Sequence, residues 1–431
     1  MTFAFSICLI CILVLAAIGA PVAYAIIVGS IVYLVAKGQD VGIAGEQMIS
    51  GLFDSFVLLA VPLFIVAANI MNAGAVSDKL LNFCVATVGR FRGGLGHVNV
   101  VSAIIFSGMS GSAVADAAGI GRVVIDMMRK SGHYSPGYAA ALTAASATIG
   151  PIIPPSIPMV LYALVSNTSI GYLFLGGIVP GLVMGVVLMV MNAYYAWKNN
   201  VGREEPVPLK ELPKVTMQAF PALLMPVILL YGIYGGIATP TEAAAIAAAY
   251  ALIIAVFLYR SLSVKSFYQV MVESARPSAS VGLVIGGALI LNYIVASENI
   301  GTSIANALVG INVSPLTFMF GVNILLLALG CILDASTIIL VIIPLFVPTC
   351  QQLGIDLIYF GVVCVVNTMI GLITPPYGIL LFVINAITRI PLAEIIREVW
   401  VFIAALVFAL VMMIVFPEIT LFLPRMFGYG G

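Results

Sequence analysis

The sequence predicts an all-α polytopic membrane protein built as an inverted repeat, with two re-entrant helical hairpins and two broken helices. Three observations predict it: a composition too apolar for water, apolar runs of membrane-spanning length from end to end, and a polar, proline-bearing pattern that occurs twice.

Of 431 residues, 62% are hydrophobic and 8% are charged, whereas a soluble domain carries about 25% charged residues. That excludes a water-soluble fold. The runs 3–36, 171–196, 217–236 and 399–416 each approach or exceed the roughly 20 residues that cross a bilayer as a helix. The run 3–36 lacks the short apolar core, basic flank and cleavage site of a secretory signal, so it is expected to be the first permanent helix. The formal net charge is zero, which argues against nucleic acid or broad anionic surfaces as partners. The most polar stretch, 198–214, holds Lys198, Arg203, Lys210 and Lys214 beside three glutamates. By the positive-inside rule it is expected to be a cytoplasmic loop. Cys8, Cys11, Cys84, Cys331, Cys350 and Cys364 lie in apolar sequence. Cys8 and Cys11 form CxxC by letter but have no histidine or further thiol partners, so all six read as packing residues.

The polar loop falls at mid-chain, and the halves on either side resemble each other. Gly150-Pro151-Ile152-Ile153-Pro154-Pro155 and Gly371-Leu372-Ile373-Thr374-Pro375-Pro376 share one Gly-x-x-x-Pro-Pro frame, and the interval from Gly150 to Gly371 is also that from Tyr138 to Tyr359. Upstream of each lies a polar, glycine-bearing interruption, 107–112 in the first half and 330–336 in the second. Two consecutive prolines break a helix, and lipid cannot satisfy the freed backbone groups, so such breaks lie buried in protein or line a cavity. The segments 97–131 and 314–350 are too long for one simple span and polar near the middle, so they read as re-entrant hairpins. The expected units are therefore 1–210, with its hairpin at 97–131 and broken helix at 136–166, and 215–431, with its hairpin at 314–350 and broken helix at 356–387.

Hairpin tips facing broken helices offer free carbonyls and helix N-termini, the groups with which carriers hold cations and carboxylates. Small hard cations take oxygen ligands. One sodium site is expected from Ser107, Gly108 and Ser110 with Gly150 and Pro151, and another from Gly330 and Ile332 with Gly371 and Thr374. The substrate is expected between the tips, at Ser112, Ser156 and Asp334. A carboxylate in an apolar segment is costly unless it pairs, binds or meets water, and for Asp334 capping the hairpin's second arm is an alternative compatible with binding. Asp116 is equally open to a ligand role and to a hydrogen bond within its own hairpin. The serines of 107–112 are open to a role in tight helix packing. Glu242 fits the first turn of a helix. Asn69, Asn292 and Asn367 each suit a helix contact, and Asn367 stands four residues before Gly371. His97 and His133 have no acidic partner pattern, which supports neither a catalytic triad nor a metal centre, and no phosphate-binding Gly-x-x-x-x-Gly-Lys-Ser/Thr motif occurs. An enzyme is not expected, and no cofactor beyond coupling sodium ions.

The stretches 94–100 (Gly-Leu-Gly-His-Val-Asn-Val), 110–116 (Ser-Gly-Ser-Ala-Val-Ala-Asp), 150–158 (Gly-Pro-Ile-Ile-Pro-Pro-Ser-Ile-Pro) and 239–244 (Thr-Pro-Thr-Glu-Ala-Ala) strongly resemble the large membrane subunit, the DctM type, of tripartite ATP-independent periplasmic (TRAP) transporters. The resemblance extends over the whole chain. It implies an elevator-type carrier, a scaffold plus a transport domain, in a bacterial inner membrane and coupled to sodium. It also implies a small membrane subunit and a periplasmic substrate-binding protein as partners, with a small organic acid such as a sialic acid, C4-dicarboxylate or sugar acid as substrate. The scaffold is expected to include amphipathic connectors near 77–92 and 263–276. A stand-alone sodium/dicarboxylate-type carrier shares nearly all these features and would need no binding protein. A channel or structural membrane subunit would not give saturable, gradient-driven uptake.

Overall fold

In the computed structural model, which describes residues 2–72, 75–203, 208 and 210–431, the described residues form helices and connecting turns without a strand. Residues 204–207 and 209 of the mid-chain polar loop, including two of its glutamates, lie outside the described residues.

The N-terminal run departs from its expectation. It forms two helices, α1 (Phe3–Ala17) and α2 (Val22–Lys37), packed on each other. The break follows from local chemistry: Gly19 takes φ +88° and Pro21 precedes α2, a combination that stops one helix and starts the next. Helix α3 (Gly42–Asp54) then meets a segment running through α4 (Ala60–Asn72) at a 72° bend. Helix α5 (Ala75–Val88) is the first connector.

The first hairpin descends as α6 (Gly94–Ser110), turns at Gly111, and returns through α7 (Ala113–Asp116), a π-helical turn at Ala117–Gly121 and α8 (Arg122–Lys130). The broken helix follows as α9 (Pro136–Ala147) and α10 (Ile157–Ser166), and the half closes with α11 (Ile170–Lys198).

The second half opens with α12 (Leu212–Tyr234) and α13 (Pro240–Ile253), the latter extended by a π-helical turn, Ile254–Leu258. The expected second connector is not a separate element: 263–276 forms the start of α14 (Val264–Ser297), a 34-residue helix that continues through Pro277. Helix α15 (Ile300–Gly310) leads to the second hairpin, α16 (Pro315–Gly330), a tip at 331–334, then α17 (Ala335–Thr337), a π turn (Ile338–Ile342) and α18 (Val347–Gln352). The second broken helix is α19 (Leu357–Gly371) and α20 (Ile379–Thr388), followed by α21 (Leu392–Val415) and α22 (Glu418–Met426).

Among the described residues, five helices are long and apolar enough to cross a membrane, or six if the bent pair counts as one span, while the hairpin and broken-helix arms run to 17 residues or fewer. The two halves interlock: α21 packs on α9, and α11 packs on α19. Around that centre α2, α3 and α4 pack on α14, α4 also packs on α13 and α1 packs on α2, and Phe5, Ile26, Tyr33, Leu34, Ile290 and Ile294 contribute to a smaller apolar core of their own.

Candidate functional site

The two helix breaks are repeat-related down to their caps. Ser135 caps α9 by accepting from the Tyr138 amide at 3.2 Å, and Asp356 caps α19 by accepting from the Tyr359 amide at 2.9 Å. These pairs are separated along the chain by the same interval as Gly150 and Gly371, so the repeat seen in the prolines extends over both broken helices. In each break the two prolines are joined by a cis peptide bond, Pro154–Pro155 and Pro375–Pro376.

Each hairpin tip rests against the break of its own half at a glycine. Gly111 has φ +60°, and a Cβ there would lie 2.5 Å from the Pro155 carbonyl oxygen. In the second half Gly330 and Gly371 meet backbone to backbone, and a Cβ on Gly371 would lie 2.7 Å from the Gly330 Cα. The returning arms then cross over. Helix α17 and its π turn pack on α10, and α7 with its π turn packs on α20, so each hairpin touches the distal arm of the other half's broken helix.

The three side chains expected at the substrate all occupy N-cap positions. Ser112 accepts from the Ala115 amide at 3.4 Å, Ser156 from the Met159 amide at 3.2 Å, and Asp334 from the Thr337 amide at 3.2 Å. Ser156 also donates to the Pro151 carbonyl, which ties the break to the helix that follows. Asp334 is only partly buried and additionally accepts from the Thr337 hydroxyl. Three helix starts thus belong to the four segments that meet here, and helix N-termini attract negative charge.

The residues expected at sodium divide by what they touch. Ser110 donates its hydroxyl to Asp116 Oδ1, while Asp116 Oδ2 is buried without a hydrogen-bond partner. That free oxygen lies against Gly150, where a Cβ would come within 2.2 Å of it. Ser107 donates to the Ile104 carbonyl, and Pro151 is held by Ser156. The Cα of Gly108 faces Pro226 of α12, whose Cγ would be 2.6 Å from an added Cβ, leaving only the backbone of Gly108 for a cation. In the second half Thr374 donates to the Ile370 carbonyl at 2.8 Å, Gly330 and Gly371 are in contact, and the Ile332 side chain is 66% exposed, so only its backbone suits a ligand role. Asn367 Oδ1, one turn before Gly371, is buried without a partner. Each break therefore has one unpartnered, buried acceptor oxygen beside it.

A further set of buried polar contacts joins each hairpin to its break. Asn99 of α6 donates to Thr143 at 2.6 Å and accepts from Ser146 at 2.9 Å, both on α9. Asn367 of α19 donates to the Asn323 carbonyl at 2.7 Å and to its Oδ1 at 2.8 Å, on α16. Ser146 and Asn367 are repeat-related, each standing one turn before its break glycine. That coincidence was available in the sequence; the partners Asn99 and Asn323 were not, because they are offset from one another by one turn.

Of the other singled-out residues, Glu242 and Asn69 have structural partners. Glu242 forms a capping box with Thr239, accepting from its amide at 2.7 Å. Asn69 donates to Ser274 at 2.9 Å across α4 and α14. Asn292 lines a cavity of about 420 Å³ between α10, α14, α15 and the second hairpin's returning arm. A larger cavity, about 660 Å³, opens where α10 and α12 end and α11 and α13 begin, lined by Asn167, Thr168, Ser169, Tyr172 and Tyr234. It lies at the opposite end of α11 from the 198–214 loop.

The sequence profile described as "Tripartite ATP-independent periplasmic transporter, DctM component" matches residues 9–419. The sialic acid TRAP transporter large permease protein SiaM of Vibrio cholerae is 39% identical over 414 residues, 96% of each chain. The C4-dicarboxylate TRAP transporter large permease protein DctM of Pseudomonas aeruginosa is 38% identical over 375 residues, 87% of this chain and 88% of that one. Among solved structures, the Alcanivorax borkumensis YdaH transporter, described as having an unusual topology, superposes with a TM-score of 0.65 at 13% identity, covering 86% of this chain and 87% of that one.

Proposed function

Since the chain belongs to the family of the DctM component of tripartite ATP-independent periplasmic transporters, we propose that it is the sodium-coupled subunit that imports a small organic acid delivered by a periplasmic binding protein. It is a multi-pass protein of the bacterial inner membrane and a transporter permease, not an enzyme. The substrate class is a sialic acid, a C4-dicarboxylate or a sugar acid, and a small membrane subunit is the third component.

The observation that carries this reading is the pair of repeat-related breaks, each seated at a glycine against its own hairpin and each with an unpartnered buried oxygen beside it. An acceptor that lacks a donor in a buried site is costly, and a sodium ion is the partner that oxygen-only surroundings suit. In the first half Ser110, Asp116 and the carbonyls of Gly150 and Pro151 would hold one ion. In the second half Asn367 Oδ1 and Thr374 with the carbonyls of Gly330, Ile332 and Gly371 would hold another. The acid then binds between the tips, near Ser112, Ser156 and Asp334, where helix starts supply positive potential. Asp334 carries the same charge as the substrate, so its role is to hold the tip and, when it faces the acid, to do so through a bound cation.

Transport follows as movement of one unit, the hairpins with the broken helices and the interlocked α11 and α21, along a scaffold of α1–α5 and α12–α15. The larger cavity, the one lined by Asn167, Thr168 and Tyr234, lies across the membrane from the 198–214 loop, and with that loop in the cytoplasm it faces the periplasm.

The experiment is uptake into proteoliposomes holding this chain and its small membrane partner, with labelled sialic acid and succinate compared. Each is measured with and without an inward sodium gradient and the cognate binding protein. Uptake of one acid that requires both is the expected result and names the substrate. Uptake that survives replacement of sodium by choline overturns the coupling, and uptake without the binding protein makes the chain a stand-alone carrier.

A further inference from the structure

The end of the molecule that carries the 198–214 loop has a groove that transport does not use. A cavity of about 780 Å³ lies between α5, α12 and the end of α13, lined by Lys79, Lys214, Met217, Gln218, Leu258 and Tyr259 among others. Lys214, Met217, Gln218 and Pro221 stand at i, i+3, i+4 and i+7, so one face of α12 forms the floor. Lys79 of α5 donates to Gln218 Oε1 at 3.0 Å, and Gln218 is one turn from Lys214. Both lysines line the groove, and the bond to Gln218 uses one of the three donors of Lys79. The Tyr259 hydroxyl donates to the Gln218 carbonyl at 2.7 Å and fixes the end of α13 there.

The charge in this groove is of one sign. Among the described residues no carboxylate lines it; Asp78 and Glu211, the acidic residues next to it in sequence, are exposed outside the lining. Its polarity is also graded along the membrane normal. Lys214 is the third residue of α12, just before that helix becomes apolar, and Arg260 follows Tyr259 at the end of the α13 span. Met217 and Leu258, apolar residues of the lining, are 76% and 57% exposed, and each lies deeper in its apolar helix sequence than Lys214 or Arg260. A basic pocket between helices with an apolar floor fits an anionic head group attached to an acyl chain, and a tyrosine at that level is the usual boundary residue.

We propose that this groove is a binding site for an anionic phospholipid, with the phosphate between Lys79 and Lys214 and a chain along Met217, Pro221 and Leu258. The bound lipid would tie the connector α5 to α12. This site is independent of the transport reading and stands or falls separately from it.

Native mass spectrometry of the purified chain, titrated with dioleoyl-phosphatidylglycerol or dioleoyl-phosphatidylcholine, tests it. Phosphatidylglycerol is expected to be retained in preference, the double variant Lys79→Gln/Lys214→Gln to lose that preference about tenfold, and Lys79→Arg/Lys214→Arg to keep it. Glycerol 3-phosphate at the same concentration is expected not to compete, because it lacks the chains that fill the groove. Equal retention of both lipids, an unchanged preference in the glutamine variant, or displacement by glycerol 3-phosphate overturns the proposal. So does a glutamine variant that keeps its lipid preference but no longer co-purifies with a small membrane subunit, since the groove is then a subunit interface. An unchanged helical circular dichroism spectrum separates lost binding from lost fold.

Discussion

Asp116 is the residue on which the proposed first cation site turns. One carboxylate oxygen takes the Ser110 hydroxyl and the other is buried against Gly150 with no donor, so stapling the hairpin leaves one oxygen for the proposed ion. Asp116→Asn keeps the shape and the contact with Ser110 but removes the charge. Sodium is expected to raise the melting temperature of the native chain and not that of the variant, and sodium-driven uptake to fall about tenfold or more. A variant that sodium still stabilises would reduce Asp116 to a structural hydrogen bond. The glycines make a second residue-scale test because their surroundings differ sharply. Gly371→Ala drives a methyl group to 2.7 Å from the Gly330 Cα, backbone that cannot swing aside, and is expected to cost about 1–3 kcal/mol. Gly321→Ala, on α16 with open space around it, is expected to leave stability unchanged or raise it by about 0.5–1 kcal/mol. Thermal unfolding in detergent compares the two.

At the scale of elements, what the sequence made legible was whatever had a local cause. Paired prolines after a glycine announced both breaks, and the glycine-bearing interruptions announced both hairpin tips. The start of α9 at Pro136 and of α19 at Leu357 falls within the expected broken helices. The division of 3–36 into α1 and α2 also had a local cause, Gly19 and Pro21, but the unbroken hydropathy around them hid it. Proline alone was a poor guide, since Pro180, Pro221, Pro226 and Pro277 all sit inside helices, as prolines of membrane helices do where the surroundings compensate for the lost backbone bond. Contacts between elements were not legible, and the Asn367–Asn323 clamp is the clearest case. Asn367→Ala is expected to cost about 1–2 kcal/mol and to speed amide exchange in the second hairpin while leaving the first unchanged; equal exchange in both would remove the clamp's role. A second tie joins α2 to α14: Glu298 accepts from Lys37 at 2.6 Å and from Tyr33 at 2.8 Å. The Lys37 ammonium, with help from the Tyr33 hydroxyl and against burial, holds the Glu298 carboxyl down at about 2. A carboxyl depressed on folding contributes stability above its ordinary value near 4.5, and loses it as pH falls toward 2. The melting-temperature gap between the native chain and Glu298→Gln is therefore expected to be constant from pH 7 to 5 and to close below pH 4.

For the whole molecule, the proposed movement of one unit along a scaffold raises the question of which surfaces slide. The halves interlock through α21 on α9 and α11 on α19, contacts that a moving unit would carry with it. Where the first hairpin meets the scaffold, Gly108 lies flat against Pro226 of α12, a smooth contact between a glycine and a proline ring. Two cysteine pairs in a background lacking the six native cysteines separate the cases. Gly108→Cys/Pro226→Cys joins hairpin to scaffold across positions whose Cβ atoms would lie 3.0 Å apart, close enough for a disulfide after a small adjustment. Gly137→Cys/Glu394→Cys joins α9 to α21 inside the unit, across 3.2 Å. Oxidation is expected to stop uptake in the first pair and spare it in the second, with dithiothreitol restoring the first. Uptake that continues through the first cross-link would fix the hairpin to α12 throughout the cycle, and the motion would then have to lie within the hairpins themselves. Loss of uptake in the second pair would instead place α9 and α21 on opposite sides of the sliding surface, and the interlock between the halves would be the interface that moves.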